Sequence, residues 1–426
     1  MFNKKKESAL YRDNPDACIC CNICLTACPV ARATQEYRGP KLNGPSLTRI
    51  RKLVTDSDPM VHYCSNCKNC DRVCPSGTPI SSLNMKARAL YYKDHKHDAA
   101  DMMLSRNEEL GKLFSSNKLF AAGANLGMKC TAMAGGLKFL GLSNDAPYPT
   151  YAKESFYSQF KKIKQPSCSR KVLFFPGCFV NYNEPELGLL LVKILNYQGV
   201  EVVIDKRLKC CGSPLLSTGY LDKVEQNAKV NTEILAYYTR QGMDIVTTCT
   251  TCSLFLKQEY AELFDMEKEV ESYNQNLYEA CEYLLKLDEE GLFKKDCLGT
   301  LESSYIYHTP CHLKVQGMGI PSLKLLSYIP GLTIERATAP CCGLSGVYGY
   351  KEKTAKISET IGAELRRQII NSTAKAGVCE CNLCRLQMAN GTGKTAVHPF
   401  YILDEAYKKG QAPGYEKAPA AAGKGK

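Results

Sequence analysis

Phe175-Pro176-Gly177-Cys178, Lys209-Cys210-Cys211-Gly212 and Cys249-Thr250-Thr251-Cys252 decide how this chain is read. They form a five-cysteine set in which two cysteines are adjacent and two close a C-x2-C. The set returns as Pro310-Cys311, Cys341-Cys342-Gly343 and Cys381-Asn382-Leu383-Cys384. Cys178 and Cys311, Cys210 and Cys341, and Cys252 and Cys384 lie 133, 131 and 132 positions apart. So constant an offset marks a duplicated module. Short apolar runs at 171–175, 200–204 and 244–247 read as strands, with helices at 184–198 and 219–241 between them. The second copy repeats the pattern at 305–307, 352–371 and 377–378. In both copies each cysteine group follows a strand, and open parallel α/β sheets hold ligands beyond the carboxyl ends of their strands. Each repeat is therefore expected to gather its five thiols in one pocket. Neighbouring side chains of a regular strand face opposite ways, so the Gly after each Cys-Cys pair supplies the bend that lets both turn inward.

Upstream stand Cys18-x2-Cys21-x2-Cys24-x3-Cys28-Pro29 and Cys64-x2-Cys67-x2-Cys70-x3-Cys74-Pro75. This is the spacing of a two-cluster ferredoxin, in which the fourth cysteine of each run serves the other cluster. It assigns Cys18, Cys21, Cys24 and Cys74 to one 4Fe–4S cluster and Cys64, Cys67, Cys70 and Cys28 to the other. A pair of zinc knuckles is the competing reading here. In the modules, zinc on four of five thiolates or a redox-active dithiol competes with an iron–sulfur cluster. These sets use eighteen of the 24 cysteines and leave Cys20, Cys130, Cys168, Cys281, Cys297 and Cys379. Arg32, Lys68 and Arg72 either tune cluster potentials or are solvated surface charges.

Behind the basic start Met1-Phe2-Asn3-Lys4-Lys5-Lys6 no apolar export segment follows, so a reducing cytoplasm and metal-bound thiolates are expected rather than disulfides. The formal charge of +12 is scattered and comes with no nucleic-acid motif. An anionic membrane surface or the charge of metal–thiolate clusters suits it better. No apolar run reaches the length of a spanning helix. Between Leu110 and Asn144 there is no acidic residue, while Lys112, Lys118, Lys129 and Lys138 recur. Leu126, Cys130, Met133, Leu137 and Leu140 step along one helical face, as in a membrane-interface helix or one packed on a partner. Residues 145–170 read as an extended linker, and the tail beyond Lys408 as disordered. His308 and His312 flank Cys311 and are candidates for a cluster hydrogen bond or a quinone proton, against a structural role; His398, before Pro399, is a candidate quinone contact, against a packing or capping role. Gly391-Thr392-Gly393-Lys394-Thr395 lacks the leading glycine of a P-loop, since Met388 stands there, and no dinucleotide fingerprint occurs. FAD or NAD then belongs to a partner. The expected organisation is a two-cluster domain over 1–98, a basic amphipathic segment and linker over 99–170, modules over 171–300 and 301–408, and a tail over 409–426.

The CCG module resembles that of the heterodisulfide reductase B subunits and of iron–sulfur subunits of flavin dehydrogenases. FPGCFVNYNEPELG (175–188), KCCGSPL (209–215), YHTPCH (307–312) and CCGLSGVYGYKEK (341–353) narrow the resemblance to the C subunits of anaerobic glycerol-3-phosphate dehydrogenase. The likeness runs from the paired ferredoxin motifs to Val397-His398-Pro399. It implies a ferredoxin-like α+β domain, mainly helical with short strands, followed by two α/β modules. It also implies electron transfer rather than substrate chemistry: a flavin subunit oxidises the substrate, and this chain relays electrons toward menaquinone at the inner face of the cytoplasmic membrane. Besides the two cubane clusters it implies two 4Fe–4S clusters of non-cubane form, one on Cys178, Cys210, Cys211, Cys249 and Cys252, the other on Cys311, Cys341, Cys342, Cys381 and Cys384. In that family the position of Cys249 need not be cysteine. Both sets are complete here, which keeps open a thiol–disulfide reductase acting at the modules. No catalytic residue is assigned.

Overall fold

Two parallel sheets grow from the two cysteine modules. The first runs β1 (Arg170–Phe174), β2 (Val200–Val203), β3 (Asp244–Thr247) and β4 (Leu277–Glu279), in the order β2-β1-β3-β4. The second runs β5 (Ser303–Tyr307), β6 (Leu332–Arg336), β7 (Ala376–Val378) and β8 (Ala396–Val397), in the order β6-β5-β7-β8. The two orders are the same, so the duplication legible in the cysteines extends to topology. All pairings are parallel. The computed structural model describes residues 14–51 and 58–416.

Val172, Leu173 and Phe174 are fully buried, the continuous apolar run expected of a strand covered on both faces. The edge strands β4, β6 and β8 were not legible in sequence, because two to five residues, partly exposed in β6 and β8, carry too little periodicity. One apolar core joins the modules, with Phe174, Val192 and Leu195 from the first packed with Tyr307, Phe400 and Leu403 from the second. Polar contacts cross reciprocally. Arg385, which follows Cys384, pairs with Glu184, while Ser253, which follows Cys252, donates to Gln316 at 3.0 Å. Each copy's C-x2-C segment is thus followed by a residue that bonds the other copy.

Before Arg170 the described residues form helices and loops, and every strand lies in the modules. Helix α1 (Ile80–Asp94) leads out of the ferredoxin-type loops. Helices α2 (Ala99–Ser105), α3 (Asn107–Phe114) and α4 (Lys118–Met133) then lie along the first module. The single apolar face expected over 126–140 is broken. Helix α4 stops at Met133, Gly135 turns the chain with φ +74, and 136–140 form a 3-10 turn. Leu137 swings inward to 2% exposure beside Ala100 and Leu142, whereas Leu126, Met133 and Phe139 stay 63, 80 and 93% exposed. The linker holds a helical turn, Phe156–Phe160, because Phe156 is drawn into the core edge-on to Phe174. The tail also differs from expectation as far as it is described. Tyr415 is fully buried and donates to Asp404 at 2.8 Å, holding residues 410–416 on the second module. Residues 417–426 lie outside the described residues.

Candidate metal centres

In the paired four-cysteine runs, Cys20 and Asn22 have φ of 61 and 65°, and Asn66 and Lys68 have 51 and 57°. These are matching positions in the C-x2-C loops, so both runs follow one backbone path. Left-handed φ costs an L-residue about 1–2 kcal/mol, and here it repeatedly folds the loops around a common centre. Cys20 occupies the turn position matching Asn66 and is exposed, its sulfur 3.8 Å from the Cys18 carbonyl.

Cys28 lines one cavity with Cys64, Cys67 and Cys70. Cys24 packs with Cys70 and Cys74, and burial followed by the nearby Cys18, Cys74 and Cys21 raises its thiol above the ordinary range. The fourth cysteine of each run therefore sits with the other run. Burial pushes the Cys28 thiol up to about 12. Such thiols stay protonated until a metal displaces the proton.

Of the three basic residues singled out in sequence, Arg32 and Arg72 are exposed. Lys68 is 2% exposed, so it is no surface charge. Its ammonium pairs with Glu262 at 2.5 Å, Glu259 at 3.4 Å and Asp71 at 3.7 Å, which ties the ferredoxin-type loops to the first module. The buried charge beside the second cavity is instead Arg88 of α1, which sequence reasoning missed. It donates to the carbonyls of Val61, Cys64 and Ser217, and among the described residues no ion pair joins it to a carboxylate. A buried cation held by carbonyls and the Met85 sulfur is costly without a negative neighbour. An anionic iron–sulfur cluster on Cys28, Cys64, Cys67 and Cys70 supplies one, so the donor set and its surroundings fit that group.

In the first module Cys178, Cys211, Cys249 and Cys252 line one hollow, and Cys210 joins Cys178 in the adjoining one. The Cys178 and Cys210 sulfurs are 3.7 Å apart, as are those of Cys211 and Cys252. Hydrogen bonding between Cys178 and Cys210 holds Cys210 below the ordinary thiol range and raises Cys178 in turn. Hydrogen bonding from Cys252 lowers Cys249 to about 7. Gly177 has φ +65, and a Cβ there would stand 3.0 Å from the Cys252 sulfur, so only glycine brings these two loops together. In the second module Cys311, Cys341, Cys342, Cys381 and Cys384 share a hollow that Cys67 also lines. Its Cys342 and Cys384 sulfurs are 3.2 Å apart. All ten module thiols thus fall beside their expected neighbours. Five soft donors around each hollow suit an iron–sulfur cluster. Among the described residues, no three His, Cys, Asp or Glu side chains converge as ligands of a single metal ion.

Two residues at the first module carried no signal in sequence. Asn107 of α3 donates to Cys178 Sγ at 2.9 Å, and its neighbour Glu108 accepts from the Cys210 amide at 3.1 Å. The histidines separate. His312 Nε2 donates to the Asn66 carbonyl at 2.9 Å, which leaves Nδ1 to accept from Thr251 at 3.0 Å, so this ring bridges the ferredoxin-type loops to both modules. His398 caps the helix beginning at Pro399, accepting from the Phe400 amide. His308 is fully buried, with neither ring nitrogen hydrogen-bonded among the described residues.

Residues 14–78 match the family described as a 4Fe-4S dicluster domain, and residues 172–257 and 305–389 each match a cysteine-rich domain. The chain is similar to the C subunit of anaerobic glycerol-3-phosphate dehydrogenase from Escherichia coli (strain K12), with 34% identity spanning 91% of this chain and 98% of that protein. It is similar at 26% to the B subunit of fumarate reductase (CoM/CoB) from Methanothermobacter marburgensis, over 91% of this chain and 70% of the other. A probable glycolate oxidase iron–sulfur subunit of Bacillus subtilis is 25% identical, over 91% and 93%.

Proposed function

Because the chain belongs to the family of anaerobic glycerol-3-phosphate dehydrogenase C subunits, we propose that it carries electrons from a flavin-bearing dehydrogenase subunit toward menaquinone at the inner face of the cytoplasmic membrane. The chain is an iron–sulfur subunit of a dehydrogenase and reductase family. The observation that carries the relay is a continuous order of thiol groups. Cys70 belongs to the group of Cys28 and also touches that of Cys24. Cys67 lines both the ferredoxin-type cavity and the second module's hollow. Cys381 lines the hollows of both modules. The order along the molecule is therefore first cluster site, second cluster site, second module, first module.

Bound iron–sulfur clusters supply one-electron transfer at each group. The chain's own residues set the two ends. Exposed Ile19, Ile23 and Leu25 surround Cys18 and Cys21, an apolar face suited to a dehydrogenase partner. At the other end, Leu119, Phe120, Leu126, Met133 and Phe139 are exposed among Lys112, Lys118, Lys129 and Lys138, a composition suited to an anionic bilayer. No helix among the described residues is long and apolar enough to cross a membrane.

Anaerobic purification with iron and sulfide analysis tests the shared premise. Four clusters require roughly 16 iron per chain, four each, and about half that with bound zinc would remove the modules from the path. Paramagnetic resonance with an added quinone analogue or an added disulfide then separates the relay from a disulfide reductase. A new signal that appears only with disulfide would overturn the relay.

A further inference from the structure

The hollow of the first module is the thiol end of a single cavity of about 200 Å³, whereas the hollow of the second measures about 40 Å³. Cys178, Cys211, Cys249 and Cys252 form one end, with Cys381 at its side. Leu104, Leu110, Met128 and Tyr148 make apolar walls, and among the described residues no Asp, Glu, Lys, Arg or His lines it. Its side-chain N–H and O–H donors include Asn107, Ser213 and Asn382. Asn107 and Ser213 lie close to the cysteines in space or sequence, and Asn382 follows Cys381.

This lining discriminates between ligand classes. A phosphorylated substrate, a nucleotide or a disulfide carrying carboxylates would bury its charge without a partner. A bare acyl chain would offer no acceptor to the Ser213 and Asn382 donors, which, unlike Asn107, do not already bond a cysteine sulfur. A flat apolar ring with carbonyl oxygens meets both demands. The route in is also marked. Helix α4 turns Asn125 and Met128 toward the cavity, while Leu126 and Lys129 on the same helix are exposed on the face assigned above to the bilayer.

We propose that this cavity binds the ring of an isoprenoid quinone, its carbonyl end toward Asn107 and Cys178 and its tail leaving beside α4 into the membrane. The assignment rests on the quinone-directed reading and specifies where on the chain that reading is realised.

The test uses the full chain, prepared anaerobically and bound to phosphatidylglycerol vesicles, with an azido-naphthoquinone carrying an isoprenoid tail. After irradiation, peptide mapping is expected to find saturable label within residues 103–151, displaced by unlabelled naphthoquinone. Met128→Trp, which fills the cavity, is expected to cut that labelling roughly tenfold, about 1.4 kcal/mol of binding, with vesicle flotation and iron content unchanged. Leu104→Phe serves if the first variant does not fold. Saturable label at another surface, with flotation intact, would overturn this site and leave the quinone reading standing. Absence of saturable label anywhere would overturn both. Displacement by a small neutral disulfide but not by naphthoquinone would make the cavity a disulfide site.

Discussion

The two cysteine modules share strand order, thiol spacing and glycine turns, yet they sit in different surroundings. The second is closed over by the ferredoxin-type loops, with Cys67 in its wall and His312 held between Asn66 and Thr251. The first faces an uncharged cavity under α3 and α4. Duplication thus supplies two similar thiol sets, and what packs over each leaves one enclosed by the ferredoxin-type loops and the other at the end of a cavity. Sequence order hides this, since the module that comes second in the chain lies nearer the paired four-cysteine loops.

The comparison breaks most sharply at the glycines after the Cys-Cys pairs. Gly212 and Gly343 have φ of +95 and +88°, so any side chain there costs about 1–2 kcal/mol of backbone strain. A Cβ on Gly212 meets only the Val224 side chain at 2.8 Å, whereas one on Gly343 would stand 2.2 Å from the Ser358 carbonyl oxygen and 2.9 Å from the Gly362 amide. A side chain can rotate away, but this helix backbone cannot. Gly343→Ala is expected to lose about 4 kcal/mol or more in urea unfolding and to deplete iron, with Gly212→Ala losing about 2 kcal/mol. Equal losses would mean that the second module is no more tightly built than the first.

The reciprocal contacts between the modules come next. Arg385 makes a two-pronged ion pair with Glu184, and Tyr401 donates to the same carboxylate at 3.0 Å. Removing the guanidinium leaves that carboxylate half-buried without its cation, so Arg385→Ala is expected to cost about 3 kcal/mol. Gln316 bonds Ser253, the Thr250 carbonyl and the His312 carbonyl, all neutral groups. Gln316→Ala is expected to cost about 1–2 kcal/mol. Urea unfolding of the two variants checks the ranking.

Strand and cysteine spacing made the modules legible because each copy was long enough to show its period twice. The crossover grouping of the eight ferredoxin-type cysteines was legible for the same reason, the spacing being fixed by the shape of the group it wraps. Asn107, Glu108 and Arg88 were not, since each reaches a cysteine loop far away in sequence from a helix with no pattern of its own. Lys68 misled because lysine is ordinarily solvated, and only the fold reveals Glu259 and Glu262 around it. Leu137 misled because the helical period was carried past a left-handed glycine that ended the helix.

Glu279 and His398 occupy matching positions at the ends of β4 and β8, and their charges answer pH in opposite directions. Burial, with Glu380 nearby, pushes the Glu279 carboxyl from its ordinary 4.5 up to about 8. The native chain then binds the proton that the unfolded chain releases, so this residue's contribution to stability falls as pH rises from 4.5 to 8. Burial, with Arg385 nearby, lowers His398 well below 6.5. Here the unfolded chain binds the proton, and stability falls as pH drops below 6.5. Each effect is at most about 1.4 kcal/mol per pH unit. Glu279→Gln keeps an acceptor for the Cys281 amide, bonded at 2.8 Å, and should remove this fall from a Tm–pH profile between pH 4.5 and 8. His398→Asn keeps a helix cap and should flatten the acid side. The same change of slope in both variants would refute the contrast.

The smallest effect is expected where one module has a thiol and the other a hydroxyl. Cys379 stands where the first module has Thr247, both fully buried at the ends of equivalent strands. The Cys379 thiol is raised by burial and lies within hydrogen-bonding reach of Cys384, close enough to be taken for a sixth donor. The first module nevertheless assembles its five thiols beside a hydroxyl, Thr247 Oγ1, that has no hydrogen-bond partner among the described residues. Cys379→Thr makes the second module read like the first. It is expected to cost about 1 kcal/mol for burying an unsatisfied hydroxyl, with iron per chain unchanged. If iron falls by a full cluster while the chain stays folded, Cys379 is a ligand and the two modules hold chemically different groups.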